Sequence, residues 1–220
     1  MARMARRLPL GYLIERVLYY RDARDYWEQR GGDRYFQEQE SMESRAAKSA
    51  FLAGEMVKLN PSSILEVGCG YGKQLKSIGS SLQAKLFGID FSKSQLGKAK
   101  EYLSDITAGL SCADAQMLPF RDKSVDVVFT SAVLLHHPPR KVEKMIREIC
   151  RVAKQYVVHN EDTDVSYSRY GINTAQIYQR LGYRPSVVRS IPMASDPART
   201  QFTIIPMNVV SADAIVERSL

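Results

Sequence analysis

The sequence predicts an α/β fold built on a doubly wound, mostly parallel sheet, and three observations carry that prediction. Short apolar runs alternate with helix-length segments from about residue 63 to residue 181. The first run breaks into alternate glycines, Gly68, Gly70 and Gly72, in Ile-Leu-Glu-Val-Gly-Cys-Gly-Tyr-Gly (64–72). The second run, Leu86-Phe87-Gly88-Ile89-Asp90, ends in an acid.

The elements follow in order. Residues 9–30 mix apolar and charged residues at helical spacing, with Leu13, Val17, Tyr20 and Trp27 as one stripe, and Gly31-Gly32 ends them. A second helix, about 43–58, carries Ala47, Ala50, Phe51, Ala53, Met56 and Val57, and Pro61 leads into the first strand. After the glycine turn, residues 73–80 begin a helix whose free amide donors face a ligand. The helix after Asp90 runs to about 103, with Asp90 or Ser92 as its N-cap. A third run spans 110–120, and a fourth strand, 124–131, is nearly continuous in apolar residues. A helix at 140–152 (Val142, Met145, Ile146, Ile149, Val152) precedes a fifth strand at 156–159, and another helix spans about 173–181. The last β-rich runs, 186–192 and 201–210, have no helix-length spacer between them. They are predicted to pair as a hairpin, giving an antiparallel strand at the C-terminal end of the sheet.

The chain has 220 residues, enough for one well-cored domain, and 45% hydrophobic with 25% charged residues is ordinary for a soluble globular protein. Cys69, Cys112 and Cys150 sit in apolar predicted elements and are spaced for neither a zinc site nor a disulfide framework, so no metal and a reducing cytoplasm are expected. No apolar run approaches a membrane span. The start, Met-Ala-Arg-Met-Ala-Arg-Arg, is like a signal-peptide n-region. However, Glu15 and Arg16 interrupt residues 8–20, which read instead as a surface helix. Net charge is +7 and the pI about 9.3. The arginines crowd the N-terminus (Arg3, Arg6, Arg7, Arg16, Arg21, Arg24). That balance favours anionic partners: phosphorylated metabolites, nucleic acid or an acidic membrane surface. The interleaved acids fit a solvated face equally well.

Glycine lets the backbone take unusual dihedrals and approach a ligand closely. The dinucleotide fingerprint G-x-G-x-x-G would need a glycine at 73, where the chain has Lys73, so the pattern here is G-x-G-x-G. Taken alone it also fits a tight turn with no ligand. Asp90 lies about 20 residues on, where a carboxylate holds a ribose diol.

Four motifs in order then carry a resemblance: E-V-G-C-G-Y-G (66–72), G-I-D-F-S (88–92), A-D-A-Q-M-L-P-F (113–120) and S-V-D-V-V-F-T-S-A-V-L-L-H-H (124–137). Over about residues 44–160 the chain resembles the class I S-adenosylmethionine-dependent methyltransferases of small-molecule type. The resemblance implies a Rossmann-like fold with residues 44–210 as the catalytic domain, 1–43 as an N-terminal helical lid and 211–220 as a tail. It implies S-adenosylmethionine as cofactor. Glu66 and the glycine turn would border its methionine end, and Asp90 would hold the ribose with Phe91 beside the adenine. Asp114 would accept the adenine amine, Ala115 would offer a backbone amide, and Thr130 or Ser131 would present carbonyls to the methionine ammonium. Asp25-Tyr26-Trp27-Glu28-Gln29-Arg30-Gly31 resembles a lead-in whose aromatics roof the cofactor, Trp27 among them; a helix packed on the core reads as well.

Methyl transfer is an in-line displacement, so the protein aligns the nucleophile and, for a hydroxyl, takes its proton. His136, His137 and His159 are the candidate bases, each also readable as a structural imidazole. The expected acceptor is a hydroxyl of a saccharide-like or natural-product metabolite, and the positive charge favours an anionic one. An RNA methyltransferase is the enzyme alternative. A non-catalytic cofactor-binding partner subunit is the other. Oligomeric state is not legible.

Overall fold

A computed structural model describes residues 10–20, 22–41 and 43–208. The expected C-terminal tail, 211–220, lies outside the described residues.

Among the described residues seven strands form the main sheet: β1 (Ser63–Val67), β2 (Lys85–Asp90), β3 (Ala108–Cys112), β4 (Val125–Ser131), β5 (Ala153–Asp162), β8 (Val187–Arg189) and β9 (Thr200–Pro206). Their order is β3-β2-β1-β4-β5-β9-β8, so the strand order reverses between β1 and β4. The first five are parallel to their neighbours; β9 runs antiparallel to β5 and to β8. The predicted hairpin is therefore present. Between β5 and the last helix, a small hairpin of β6 (Val165–Ser166) and β7 (Arg169–Tyr170) occupies what reads from sequence as a loop.

The central strands read as continuous apolar runs because helices cover both faces. Alternation along β1 sends Ile64 to one core and Leu65 to the other, and both are fully buried. One face packs against α7 (Pro139–Val152) and α8 (Thr174–Arg180) through Val142, Ile146, Ile149 and Tyr178. The opposite face packs against α4 (Glu43–Leu59), α5 (Lys73–Gly79) and α6 (Lys93–Tyr102) through Leu52, Met56, Leu75, Ile78 and Leu96.

Four expectations need correction. The stretch expected as one helix over 9–30 is two, α1 (Leu10–Tyr19) and α2 (Ala23–Arg30). Asp22 breaks it: its extended backbone and its carboxylate, which accepts the Arg24 and Asp25 amides, start a new helix. Leu13 and Val17 are exposed, so the proposed stripe is no core face. The buried face of α4 is Ser49, Leu52, Ala53 and Met56; Ala47 and Ala50 point outward. Cys112 is exposed on the edge strand, while Cys69 and Cys150 are buried; all three are free thiols.

Candidate active site

Ligands of open α/β sheets bind outside the carboxyl ends of the strands, where the order reverses. Here a cavity of about 460 Å³ opens at that point, between the ends of β1, β2, β4 and β5. Ligand sites typically span roughly 300–1,000 Å³. Beside it lies a smaller lobe of about 70 Å³, bounded by Phe91, Asp114, Ala115, His137 and Arg24. Gly68, Asp90, Phe91, Val133 and His137 border both.

The glycine turn serves two purposes. Gly68, Gly70 and Gly72 all have positive φ. A Cβ on Gly68 would meet Val133 at 2.6 Å, and one on Gly72 would meet Leu103 at 2.6 Å, so the protein itself demands glycine at both. A Cβ on Gly70 would touch nothing closer than the Gln95 amide oxygen at 3.9 Å. Gly70 and Gln95 both line the cavity, so Gly70 keeps clear a space that no protein atom fills.

Asp90 closes the turn from β2. One of its oxygens accepts the Gly70 amide at 2.9 Å, and the other the Ser92 amide at 2.8 Å. Burial pushes its pKa up, and the Ser92 and Gly70 amides hold it back. Ser92, not Asp90, caps α6 by accepting the Gln95 amide. In the smaller lobe Asp114 accepts the Gln116 amide at 2.8 Å and faces Arg24 at 3.5 Å. Burial works to raise the Asp114 pKa, but the Gln116 hydrogen bonds and the nearby Arg24 charge bring it below the usual carboxylate value. The Arg24 guanidinium also lies 5.3 Å from the Phe91 ring centre. Sequence reading placed Arg24 only within a basic run.

Buried polar groups are normally paired. Among the described residues the exceptions are Glu66 Oε2, Gln74 Oε1, Gln95 Oε1, Asn160 Oδ1 and His137 Nδ1. All five residues line the larger cavity. Four of the atoms are oxygen acceptors, so the site calls for a ligand rich in N–H or O–H donors. The ammonium and ribose hydroxyls of S-adenosylmethionine are such donors, and the residues present fit it. Glu66 is fully buried, and burial together with the Asp90 charge raises its pKa well above the usual value.

The N-terminal helices complete the wall. Tyr26, Trp27 and Arg30 come from α2, and Tyr35 and Gln39 from α3 (Asp33–Glu40). Trp27 packs edge-on against Tyr26, Tyr35 and His136, with ring centres 5.2, 5.4 and 5.0 Å apart. The cations in the two walls already have carboxylate partners: Arg30 with Glu38, Lys48 with Asp162, Lys73 with Glu40, Arg169 with Asp164, Arg24 with Asp114 and Lys141 with Asp22.

The three histidines part company. His136 lies in a single 3-10 turn after β4 and borders the cavity. Its Nδ1 is 2.8 Å from the Ser168 carbonyl, which can only accept, so Nδ1 carries the proton and Nε2 keeps its lone pair. Burial lowers its pKa to about 4. His137 joins the two lobes, and burial likewise lowers its pKa to about 4. His159 is absent from the cavity wall and wholly buried. Its Nδ1 meets Thr130 Oγ1 at 2.7 Å and its Nε2 meets the Tyr178 hydroxyl at 3.0 Å. Both nitrogens being occupied, its placement as a base near the transferred group is corrected to a core role. Thr130 is also buried away from the cavity; of the Thr130/Ser131 pair, Ser131 reaches the wall.

Glu161 anchors the segment that carries the histidines. It is fully buried, and its carboxylate accepts Thr130 Oγ1 at 2.6 Å and the Val133 amide at 3.0 Å. Burial raises its pKa to about 7. Ala132, next to this anchor, has φ 55° and borders the cavity, a strained non-glycine residue at the site.

Residues 64–156 match the family model described as "Methyltransferase domain". The chain is 29% identical over 188 residues to 24-methylenesterol C-methyltransferase 2 of Arabidopsis thaliana, covering 71% of this chain and 50% of that protein. It is 36% identical over 95 residues to an O-methyltransferase of Aspergillus sclerotiorum, covering 41% of this chain and 35% of that protein. The chain thus spans half or less of the length of these relatives. Among solved structures, magnesium protoporphyrin IX methyltransferase from Synechocystis with bound S-adenosylmethionine aligns with TM-score 0.61 at 14% identity, over 91% of this chain and 98% of that one. At that identity the likeness is one of fold.

Proposed function

We infer that this chain, which belongs to the class I S-adenosylmethionine-dependent methyltransferases, methylates a hydroxyl of an uncharged small molecule, saccharide-like or from a natural-product pathway. The observation that carries the reading is the set of orphaned buried acceptors around one cavity, beside a wall whose cations are already paired. An anionic acceptor or RNA backbone would need free cations.

S-adenosylmethionine, when bound, supplies a methyl group already activated on a sulfonium. The residues do the rest. Asp90 accepts the ribose hydroxyls with the lone pairs its two amide bonds leave free. Phe91, Asp114 and Ala115 take the adenine in the smaller lobe. Glu66, Ser131 and Asn160 face the methionine end. Residues 1–43 act as the lid, with Trp27 as roof, over a catalytic domain of 44–210. His136 Nε2 takes the acceptor's proton, because its Nδ1 is committed to Ser168. At pH 7 its lowered pKa leaves the ring neutral, hence able to accept.

The test is transfer of labelled methyl from S-adenosylmethionine to a panel of neutral polyols, phenols and sterols, phosphorylated sugars, and RNA. Labelling confined to neutral hydroxyl compounds supports the reading. Preferential labelling of phosphorylated sugars or RNA overturns it, as does cofactor binding with no labelling across the panel.

A further inference from the structure

Helix α1 presents an apolar face outward. Leu10, Leu13, Ile14, Val17 and Leu18 follow the i, i+3, i+4, i+7, i+8 pattern that places side chains on one side of a helix. In most proteins that side faces the core. Here the five are 74%, 44%, 54%, 61% and 58% exposed, and α1 contains no buried residue. The face is not a loosely placed tail. Arg16, on the other side, donates to the backbone carbonyls of Ser166, Tyr167 and Arg169 at 2.6–2.8 Å and stacks 3.8 Å over the Tyr170 ring. One turn on, the Tyr20 hydroxyl donates to the His136 carbonyl at 2.9 Å. The polar side of α1 is thus fastened to the β6–β7 hairpin and the His136 turn, both of which border the cavity.

Charge and size decide what covers the apolar side. From Met1 to Arg24 the sequence holds arginines at 3, 6, 7, 16, 21 and 24, and acids only at 15 and 22. Arg16 turns inward and Arg24 pairs with Asp114, but arginines at 3, 6, 7 and 21 against acids at 15 and 22 leave this end of the sequence cationic. A ten-residue helix offers a footprint on the order of 15 by 10 Å. That is far short of the roughly 800 Å² per partner that a standard protein interface buries. A bilayer asks for no complementary surface, only an apolar face with cationic flanks. We propose that α1 lies in the interfacial layer of an anionic lipid membrane, holding the rim of the cavity formed by the β6–β7 hairpin and the His136 turn against it.

This does not depend on the methyl-transfer reading, and its test uses no activity. The full chain is sedimented with phosphatidylcholine vesicles with and without phosphatidylglycerol, at low and high salt. Expected is binding to the phosphatidylglycerol vesicles, weakened by salt, and reduced at least about tenfold in Ile14→Gln/Leu18→Gln. Glutamine keeps the helix propensity, and unchanged S-adenosylmethionine affinity would confirm an intact fold. Arg6→Glu/Arg7→Glu should lower binding to anionic vesicles alone. No vesicle binding, or equal binding by wild type and Ile14→Gln/Leu18→Gln, overturns the proposal. So does a dimer, seen by light scattering, that this variant dissolves: the face would then belong to a second copy of the chain.

Discussion

Asp90→Ala separates the ligand's share of the glycine turn from the protein's. In the structure the carboxylate makes two backbone bonds, to the Gly70 and Ser92 amides, and each oxygen keeps further lone pairs. Hydrogen bonds to a charged group are worth roughly 1.5–3 kcal/mol each. Losing two to the ribose hydroxyls would therefore weaken binding by about 3–6 kcal/mol, or roughly 10²–10⁴ in Kd. The two backbone bonds add a fold cost, because the largely buried Asp90 carboxylate leaves the Gly70 and Ser92 amides without their acceptor when it is removed. Calorimetry with S-adenosylmethionine measures the first quantity, and thermal unfolding without ligand measures the second. A saturating cofactor should raise the wild-type Tm, while the variant's Tm should barely respond. A folded Asp90→Ala protein binding within threefold of wild type would refute the ribose assignment and leave Asp90 as a turn fastener only.

Other expectations follow from the same geometry. Gly70→Val should abolish cofactor binding in a folded protein, since its side chain enters the space the cavity keeps clear; measurable binding by calorimetry counts against that geometry. Trp27 emission should shift on cofactor saturation, and removing residues 1–40 should cost more activity than folding; an unchanged spectrum with full activity contradicts the lid. In single-turnover kinetics across pH, His136→Ala should lower the rate by roughly 10²–10⁴ and remove the acid limb, whereas His159→Phe should lower Tm without moving the pH profile; near wild-type rates in His136→Ala would leave catalysis to alignment alone. Stability should respond to pH in two opposed ways. The histidines, with folded pKa values of about 4, 4 and 3, bind fewer protons folded than unfolded, so their contribution is present above about pH 6.5 and is lost as pH falls towards 4. Glu161, raised from 4.5 to about 7, binds more protons folded, so its contribution is lost as pH rises between those values. The stability of Glu161→Gln relative to wild type should therefore improve from pH 4.5 to 7 in urea titrations; a flat difference would mean that the buried carboxylate does not titrate there.

Much of the site was legible because its chemistry is local. A strand, a turn of three glycines and an acid about 20 residues on are read directly from residues 64–90, and the structure joins them through the Asp90–Gly70 bond. The division of labour among the glycines was not legible. Whether a Cβ would strike Val133, strike Leu103 or enter open space depends on chain brought in from 133 and 103. The N-terminal segment misled for a related reason. Helical periodicity reports which residues share a face, not which way that face turns, and α1 is fastened through Arg16 to carbonyls about 150 residues along the chain.

The histidines show the same limit from the side of chemistry. All three end or follow strands four and five, and spacing alone makes each a candidate base. What separates them is the partner on each nitrogen. A carbonyl on His136 Nδ1 fixes the tautomer and leaves a lone pair; two hydroxyl partners on His159 leave none. Glu161 belongs to this distinction. By taking the Val133 and Leu135 amides and the Thr130 hydroxyl, it binds the turn bearing His136 to the strand bearing His159. A buried carboxylate that accepts backbone amides sets where the following residues point. The proposed base and its scaffold are therefore one connected unit, and the acid that orients the turn lies two residues from His159, whose ring is held in the core.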